Sequence, residues 1–319
     1  METRNNPILS ICIPTYNRSK FLVECLESVL ESAKGYENKL EIIISDNASN
    51  DETTNVAAKY VEKFSFIYYS RNVENVIDEN FFIAARLAKG KYVWIFADDD
   101  KMEKNAVAMV MDQIQKKYNL IILNYSMWDK YFSRKIKENG MGIRHQLIFS
   151  NSDLLLKTFG IRIQYLSSVI IQKSKLLCLA SAEYNPFHEY GASFLLSVYS
   201  GVKDSLKGIY IPEPLVAYRG FNSDITESKK WYKYFVTGST LLLETLRKKG
   251  YSKSAINKAK SKVIIEYVAR DILHRKRNNI KLKGILIIIF QNYRYSFLFW
   301  FLLLPLFATP NYFIKLLKR

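Results

Sequence analysis

Hydrophobic segments alternate with amphipathic segments along the first 125 residues of the chain. Apolar, β-branched runs such as 8–14 and 40–45 are typical of buried strands. In the segment 20–32, apolar side chains recur every three or four residues, which predicts an amphipathic helix. Strand, loop and helix repeat about every 30 residues, which is typical of βαβ units and predicts an α/β fold. Its mostly parallel sheet would carry helices on both faces. The further strands are predicted at 64–70, 92–97 and 120–125, and the further helices at 51–63, 76–88 and 103–117.

The pattern is weaker after residue 125. We predict an irregular segment to about Asn151, a strand over 165–171 and a helix over 192–200. The stretch 208–219 resembles two short edge strands, because prolines interrupt it. From residue 229 the pattern becomes helical and basic.

Each of the first four predicted strands ends in a cluster of polar residues: 15–18, 46–51, 71–72 and 98–100. Ligands of such sheets bind at the carboxyl ends of the strands, so the four clusters are expected to converge on one crevice. Asp98, Asp99 and Asp100 repel one another, and a divalent cation with oxygen ligands relieves that repulsion. Taken alone, three aspartates also fit a solvated turn that caps a helix. Their place among four clusters favours a metal site.

Charge is distributed unevenly along the chain. The net charge is +17, although residues 1–228 hold 27 basic and 27 acidic residues. Residues 229–319 hold 20 Lys and Arg against Glu244, Glu266 and Asp271 only. Such a basic segment indicates nucleic acid or an anionic membrane surface as partner. We therefore predict a domain of 1–228, with halves of about 1–125 and 126–228, and a basic helical region of 229–319 that associates with a membrane surface.

The three cysteines, Cys12, Cys25 and Cys178, form a sparse set without metal-type spacing. They predict neither a disulfide framework nor a zinc site, which fits a reducing compartment. The N-terminus runs directly into a predicted strand, and we expect no signal peptide before it.

Two apolar runs close the chain, at 285–290 and 297–308. Both are shorter than the ~18 residues of a bilayer-spanning helix, and Pro305 interrupts the second. Trp300 and several phenylalanines among Lys and Arg residues suit a helix that lies in the headgroup region of a membrane. A core helix packed on the first domain and a subunit contact are the alternatives. Long aliphatic and aromatic runs disfavour nucleic acid as the partner of this region.

The polar crevice suits a nucleoside diphosphate. A cation at the aspartates would bridge the two phosphates and stabilise the charge of a departing diphosphate. A carboxylate such as Asp46 can accept an N–H from a base edge, and Arg71 can pair with a phosphate or the base. The chain contains neither GxGxxG nor GxxxxGK[ST], which argues against dinucleotide oxidoreductases and P-loop enzymes.

The segments 10–18, 42–51 and 97–100 resemble family-2 glycosyltransferases with the Rossmann-like GT-A fold, in order and spacing as well as content. The resemblance covers about residues 7–125 and is greatest to O-antigen and capsular sugar transferases, including the abequosyltransferase-like group. It makes 1–125 the nucleotide-sugar half and 126–228 the acceptor half. It implies that Asp98 and Asp100 of the DxD motif hold Mn²⁺ or Mg²⁺, with Asp100 as the most direct ligand. It also implies nucleotide binding by Pro14, Thr15, Tyr16, Asn17, Arg18, Asp46, Arg71, Asp98 and Asp99.

Members of this family that invert the anomeric centre use one carboxylate as general base, usually in a Glu-Asp pair before a helix. The corresponding stretch here is 187–191, so the resemblance points to Glu189, which would take the proton of the acceptor hydroxyl. His188 replaces the first acid of the pair, and a structural hydrogen bond is the interpretation we favour for it. Glu183 is the alternative base. An acid at a helix N-terminus is the alternative role for Glu189 itself.

These observations predict a metal-dependent, inverting glycosyltransferase that moves one sugar from a nucleoside-diphosphate sugar to a glycan hydroxyl. The acceptor would be a lipid-linked oligosaccharide of surface polysaccharide synthesis, at the cytoplasmic face of the membrane. The chain lacks the Gln-x-x-Arg-Trp signature of processive synthases, which favours one sugar per encounter.

Two other functions stay open. A nucleotidyltransferase usually needs a glycine-rich basic loop after the first strand, where this chain has 14–17. A non-catalytic, membrane-tethered protein that binds nucleotide sugars or assists assembly is the second. The identities of sugar, nucleotide and acceptor, and the oligomeric state, are not specified by these patterns.

Overall fold

The computed structural model of the chain describes residues 6–76, 79–220, 228–282 and 284–316. The described strands are β1 Leu9–Thr15, β2 Leu40–Asp46, β3 Ile67–Arg71, β4 Tyr92–Ile95, β5 Lys101–Met102, β6 Leu120–Trp128, β7 Lys135–Lys137, β8 Leu147–Phe149, β9 Val169–Gln172 and β10 Gly208–Arg219. The described α-helices of the first 220 residues are α1 Ser19–Ala33, α2 Thr53–Lys63, α3 Asn80–Leu87, α4 Ala106–Gln115, α5 Ser152–Phe159, α6 Lys173–Leu176, α7 Ser181–Tyr184 and α8 Ser193–Val202.

Helices alone make up the rest of the described chain. They are α9 Ser228–Tyr232, α10 Ser239–Lys248, α11 Lys253–Lys262, α12 Arg270–Arg277, α13 Ile285–Tyr293, α14 Leu304–Ala308 and α15 Asn311–Leu316. Three π-helical segments continue these helices, at Lys233–Gly238, Val263–Ala269 and Phe299–Leu303. Within the described ranges, no helix is both long enough and apolar enough to cross a membrane.

The strands form one sheet in the order β3-β2-β1-β4-β9-β6-β10-β5, with β7 beside β6 and β8 beside β10. The first four strands pair in parallel, so their carboxyl ends lie along one edge. This confirms the predicted α/β fold and its mostly parallel sheet. The predicted elements of the first 125 residues are present, with ends that differ by a few residues.

Two predictions for the later strands are wrong. The segment 165–171 is not a strand throughout: Leu166–Ser168 is a 3₁₀ turn, and the short strand β9 that follows runs antiparallel between β4 and β6. The stretch 208–219 is one strand inside the sheet rather than two edge strands. Its pairing with β6 shifts around Pro214, and the Asn124 side chain donates to the Pro212 carbonyl at 2.8 Å where the ladder is interrupted.

Each face of the sheet carries a hydrophobic core. On one face, Leu9 and Ile11 pack with buried residues of α1 and α4. On the other face, Cys12 and Val93 belong to a cluster that takes in α3, α5 and α8, and also Ile289 and Leu303 near the end of the chain. The basic helical region therefore shares a core with the sheet. The domain boundary that we placed near 226–230 falls partly outside the described residues and stays a prediction.

A buried carboxylate fixes the start of β4, the strand that leads to the aspartates. Glu41 accepts hydrogen bonds from the Ser10 hydroxyl and the Lys89 amide, both at 2.6 Å. The next residue, Gly90, lies so close to β1 that an added Cβ would come within 2.6 Å of the Ser10 hydroxyl oxygen. Only glycine leaves room for this close approach of the two backbones.

Candidate active site

The loops after β1 and β2 are hydrogen-bonded to each other. Asn17 adopts a left-handed backbone conformation with φ of 52°, which asparagine tolerates better than most residues. Its amide donates to the Ser49 hydroxyl at 2.9 Å, and its side-chain oxygen accepts from the Asn50 amide at 2.8 Å. Asp51 accepts from the Ser19 amide at the first turn of α1. Asn17 thus holds two site loops together, whereas its predicted contact with a nucleotide stays a prediction.

A cavity of about 260 Å³ opens at the carboxyl ends of the parallel strands. Its lining brings five of the predicted nucleotide-site residues together with two asparagines: Pro14, Thr15, Tyr16, Arg18, Asp98, Asn47 and Asn80. The convergence expected from the sheet topology is therefore present in the structure.

Asp46 and Arg71 lie beside this cavity as a pair. Asp46 is fully buried, and its Oδ2 accepts from the Tyr69 hydroxyl at 2.7 Å and from Arg71 Nη1 at 3.1 Å. Its Oδ1 accepts from the Ser49 amide. Arg71 also donates to the Ser49 carbonyl at 2.5 Å, although 42% of its side chain stays exposed. A buried carboxylate thus anchors a half-exposed guanidinium at the rim of the site.

An amide network that the sequence analysis missed supports the floor of the cavity. Asn80, at the start of α3, donates to the Ser45 carbonyl at 2.8 Å and accepts from the Ser45 hydroxyl and the Asn72 amide. Asn72 also donates to the Asn47 side chain at 2.9 Å. Asparagines in loops are common, so their mutual contacts cannot be identified before the fold is known.

Arg18 bridges the first two aspartates of the triple. One nitrogen, Nη1, lies 3.0 Å from Asp98 Oδ1 and 3.0 Å from Asp99 Oδ2. Asp98 is buried, whereas 37% of the Arg18 side chain is exposed. The guanidinium predicted to contact the nucleotide therefore neutralises charge within the carboxylate cluster.

Asp100 is surrounded by donors that the sequence analysis did not identify. Its Oδ2 accepts from the Tyr165 hydroxyl at 2.5 Å and the Ser167 hydroxyl at 2.7 Å. Its Oδ1 accepts from the Arg219 amide at 3.1 Å. Ser167 lies in the 3₁₀ turn before β9 and Tyr165 directly precedes that turn, which explains why the interruption of the predicted strand matters for the site.

The environment of the aspartates disfavours their charged forms. Burial, together with the neighbouring Asp99, raises the pKa of Asp98 to about 6 and that of Asp100 to about 7. Arg18 opposes the shift at Asp98. Buried carboxylates with raised pKa values are a donor set that a divalent cation would stabilise, so these residues fit the metal that the sequence predicts. Among the described residues, no three His, Cys, Asp or Glu side chains are grouped as ligands of one ion. Other oxygen atoms would complete the coordination.

Arg219 stabilises the turn that contains the three aspartates. It is buried, and its side chain donates to the Asp99 carbonyl at 2.7 Å, to the Lys130 carbonyl at 2.7 Å and to Glu24 at 3.0 Å. Its guanidinium also lies between the Phe21 and Phe132 rings, at 4.7 and 4.3 Å from their centroids. These partners come from three separate segments of the chain, and no local motif indicates them.

The candidate bases lie on the segment before α8. Glu189 is in the 3₁₀ helix Asn185–Tyr190, with 65% of its side chain exposed, and forms an ion pair with Lys233. Glu183 accepts from the Ala180 amide at the start of α7 and pairs with Lys249 at 3.1 Å. Hydrogen bonds from Lys249 and from that amide lower the pKa of Glu183. The contacts of Glu183 are those of a helix-terminal acid, while its role as a base stays untested.

His188 has the structural hydrogen bond that we favoured. Its Nε2 lies 3.2 Å from the Asn185 side-chain oxygen. Its ring packs against Phe82 and Tyr184, with centroid distances of 6.2 and 5.4 Å. Because Phe82 belongs to α3, the helix whose first residue lines the cavity, these contacts connect the Glu189 segment to an element of the site.

Comparison with known proteins agrees with this geometry. The model of the family described as Glycosyl transferase family 2 matches residues 10–171, about half of the chain. The abequosyltransferase RfbV of Salmonella typhimurium is 29% identical over 235 residues, which are 70% of this chain and 70% of that protein. The GalNAc(5)-diNAcBac-PP-undecaprenol beta-1,3-glucosyltransferase of Campylobacter jejuni is 25% identical over 237 residues, 72% of this chain and 71% of that protein.

A solved structure shares the fold. The mannosyltransferase PcManGT from Pyrobaculum calidifontis, in complex with GDP-Man and Mn²⁺, superimposes with a TM-score of 0.55 at 13% identity. The superposition covers 97% of this chain and 85% of that one. Fold and family match agree, and the chain is a GT-A glycosyltransferase that belongs to glycosyl transferase family 2.

Proposed function

We propose that this glycosyltransferase moves one sugar from a nucleoside-diphosphate sugar to a hydroxyl of a glycan, with inversion of the anomeric centre. The observation that carries the proposal is the cavity edged by Arg18 and Asp98, with Asp100 buried beside it. Cationic and carboxylate groups at one end of a small cavity suit a diphosphate held together with a divalent metal. The two bacterial relatives described above are sugar transferases by their names, and surface polysaccharide synthesis is the process we propose for this chain.

Asp98 and Asp100 are the residues that would hold Mn²⁺ or Mg²⁺. The solved structure of similar fold that carries Mn²⁺ with GDP-Man supports the use of a divalent metal. When bound, the ion would supply electrostatic stabilisation of the departing diphosphate. Arg18, which bridges Asp98 and Asp99, would contact a phosphate at the same end of the cavity.

Pro14, Thr15 and Tyr16 would form the wall that binds the nucleoside. Tyr16 is 42% exposed, so its ring is available to pack against a base. Asp46 and Arg71, paired at the rim, would fix the base edge through hydrogen bonds. The hydrogen-bonded network of Asn47 and Asn80 stabilises the adjoining part of the cavity.

Glu189 is our proposed general base. The bond from the acceptor oxygen to the anomeric carbon forms as the bond to the diphosphate breaks, and the acceptor proton passes to the Glu189 carboxylate. Its exposure favours access by an acceptor, whereas Glu183 is fixed at a helix terminus. Lys233, which pairs with Glu189, would orient the carboxylate before the acceptor arrives.

The acceptor that we propose is a lipid-linked oligosaccharide at the cytoplasmic face of a membrane. The Campylobacter jejuni relative carries an undecaprenol-linked substrate in its name, which supports this class of acceptor. The basic character of residues 229–319 supports attachment to an anionic membrane surface. Nucleic acid is not part of the proposal.

A screen of nucleotide sugars for product release, with Mn²⁺ and Mg²⁺ compared, tests the proposal. Release of nucleoside diphosphate with transfer of sugar to an acceptor is the expected result. Release of pyrophosphate would instead identify a nucleotidyltransferase. Asp100→Ala and Glu189→Ala are each expected to abolish transfer. Transfer that survives both substitutions would refute the mechanism, and binding of a nucleotide sugar without any transfer would indicate a non-catalytic binder.

A further inference from the structure

Large apolar side chains are exposed together near the end of the chain. We call the set the aromatic face, and it consists of Ile287 (62% exposed), Phe290 (41%), Phe297 (69%), Trp300 (50%) and Phe301 (68%). Ile287 and Phe290 are three residues apart on α13. Phe297, Trp300 and Phe301 have the three- and four-residue spacing of one helix face. Clusters of exposed large apolar residues of this kind usually mark a surface that binds a partner or a membrane.

The same helices bury their opposite sides. Ile285 and Ile289 of α13, and Phe299 and Leu303 of the π-helical segment, are at most 1% exposed and belong to the core shared with the sheet. The helices are therefore held in place by the core, while the aromatic face points outward. This division excludes the interpretation of 285–290 and 297–308 as wholly buried core segments.

Ring contacts connect the aromatic face to the core beneath it and join two of its members to each other. The Phe290 and Phe299 rings lie 5.7 Å apart, and the Phe299 and Trp300 rings 5.1 Å apart. Phe297 and Phe301 stack at 4.0 Å with an angle of 19° between their planes. The Trp300 indole donates to the Arg294 carbonyl at 2.7 Å, which fixes the tryptophan at the edge of the face.

The charged residues along this part of the chain have one sign. The sequence from residue 272 to residue 319 contains nine Lys and Arg and no Asp or Glu. Arg294 lies 5.8 Å from the centre of the Phe290 ring, inside the aromatic face. The nearest acids along the chain are engaged elsewhere: Asp271 pairs with Arg275, and Glu266 pairs with Arg162. An occupant of the face must therefore offer apolar volume and negative charge together.

We propose that the aromatic face docks on an anionic phospholipid bilayer, with its rings at the level of the headgroups and acyl-chain ends. Amphipathic helices with aromatic and cationic residues bind such interfaces through buried apolar area and attraction to anionic lipids. A second copy of the chain is a poorer occupant, because two faces with the same positive charge repel each other. Membrane docking rests on the proposed function, because the proposed acceptor is lipid-linked. Vesicle binding can nevertheless be measured without sugar transfer.

Co-sedimentation of the full chain with lipid vesicles tests the proposal. One set of vesicles consists of phosphatidylcholine, and the other also contains phosphatidylglycerol. We expect binding to the second set that weakens with added salt. The double variant Phe297→Ser/Phe301→Ser is expected to lower the vesicle partition coefficient about tenfold or more, because it removes two inserted rings. Tyr131→Ser, at a residue that is 79% exposed and outside the face, is the matched control and should bind as the wild type does.

Unchanged binding of the double variant would overturn the proposal, as would absence of wild-type binding to anionic vesicles. A dimer that dissociates in the double variant, without vesicle binding by the wild type, would assign the face to a second copy instead. Both substituted rings are exposed, so the melting temperature should stay close to that of the wild type. Release of nucleoside diphosphate with a soluble acceptor should also be unchanged. If the wild type bound vesicles but released no nucleoside diphosphate, the result would count against the proposed function and not against membrane docking by the aromatic face.

Discussion

Replacement of Arg219 should affect both stability and the aspartate site. In Arg219→Met, the carbonyls of Asp99 and Lys130 lose donors at 2.7 Å, and two aromatic contacts lose their cation. A net hydrogen bond contributes about 1 kcal/mol, an unsatisfied buried carbonyl costs about 1–3 kcal/mol, and each ring contact adds about 0.5–1 kcal/mol. We therefore expect a loss of about 3–5 kcal/mol in the free energy of unfolding. Arg219→Lys should lose about 2 kcal/mol, because an ammonium cannot reproduce the fork of three donors.

Urea unfolding at a constant m-value measures this effect. Lys101→Met is the matched control, since Lys101 also pairs with Glu24, at 2.8 Å, but 36% of its side chain is exposed. That substitution should cost less than about 0.5 kcal/mol. Calorimetric titration with Mn²⁺ and nucleoside diphosphate gives a second readout, because a displaced Asp99 carbonyl moves the neighbouring carboxylates. The reasoning would be refuted if Arg219→Lys unfolded at the same urea concentration as the wild type and bound the metal and nucleotide equally well.

Three further results are expected. Glu189→Gln should lower kcat about 10²–10⁴-fold with little change in KM for the donor, whereas Glu183→Gln should leave kcat within a few-fold of the wild type. Steady-state kinetics of both variants measure these effects. The reverse pattern would contradict the assignment of Glu189 as the base. The pKa values of Asp98 and Asp100 are raised to about 6 and about 7, so protons compete with the metal at these carboxylates. The affinity for Mn²⁺ should therefore fall as the pH falls from 8 to 5. The metal-free protein should become more stable over the same change, because its folded form binds more protons than the unfolded chain does. A pH-independent Mn²⁺ dissociation constant would exclude this competition. Gly90→Ala places a Cβ within 2.6–2.9 Å of β1 atoms and should cost about 2–4 kcal/mol in thermal or urea unfolding.

The first half of the fold follows from local patterns in the sequence. Strands β1 to β4 are apolar runs with polar ends, and the topology of parallel sheets places those ends together. The site residues near them were predicted for the same reason. Arg219 and Glu24 are 195 positions apart, and neither stands in a distinctive local pattern, so their contact depends on the finished fold. The hydroxyls of Tyr165 and Ser167 were missed because an apolar run was interpreted as a strand through both.

The two errors in the later strands have different physical causes. An apolar run does not show where within it a strand begins. The segment 165–171 opens with the 3₁₀ turn Leu166–Ser168, and the strand β9 that follows has only four residues. In β10, prolines predict an interruption, whereas the strand continues past a shift in register at Pro214, where the Asn124 side chain donates to the Pro212 carbonyl.

The core that the basic helical region shares with the sheet has a consequence for protein engineering. Grafting the C-terminal region of a relative with another acceptor onto this chain would replace the buried sides of α10 and α11 while leaving α8 and α5, against which they pack, unchanged. Such a chimera would contain mismatched volumes at a buried seam and would fold poorly even if the junction itself were tolerated. Variants designed to change the acceptor preference should therefore keep the inward-facing residues of these helices and alter only those that face outward.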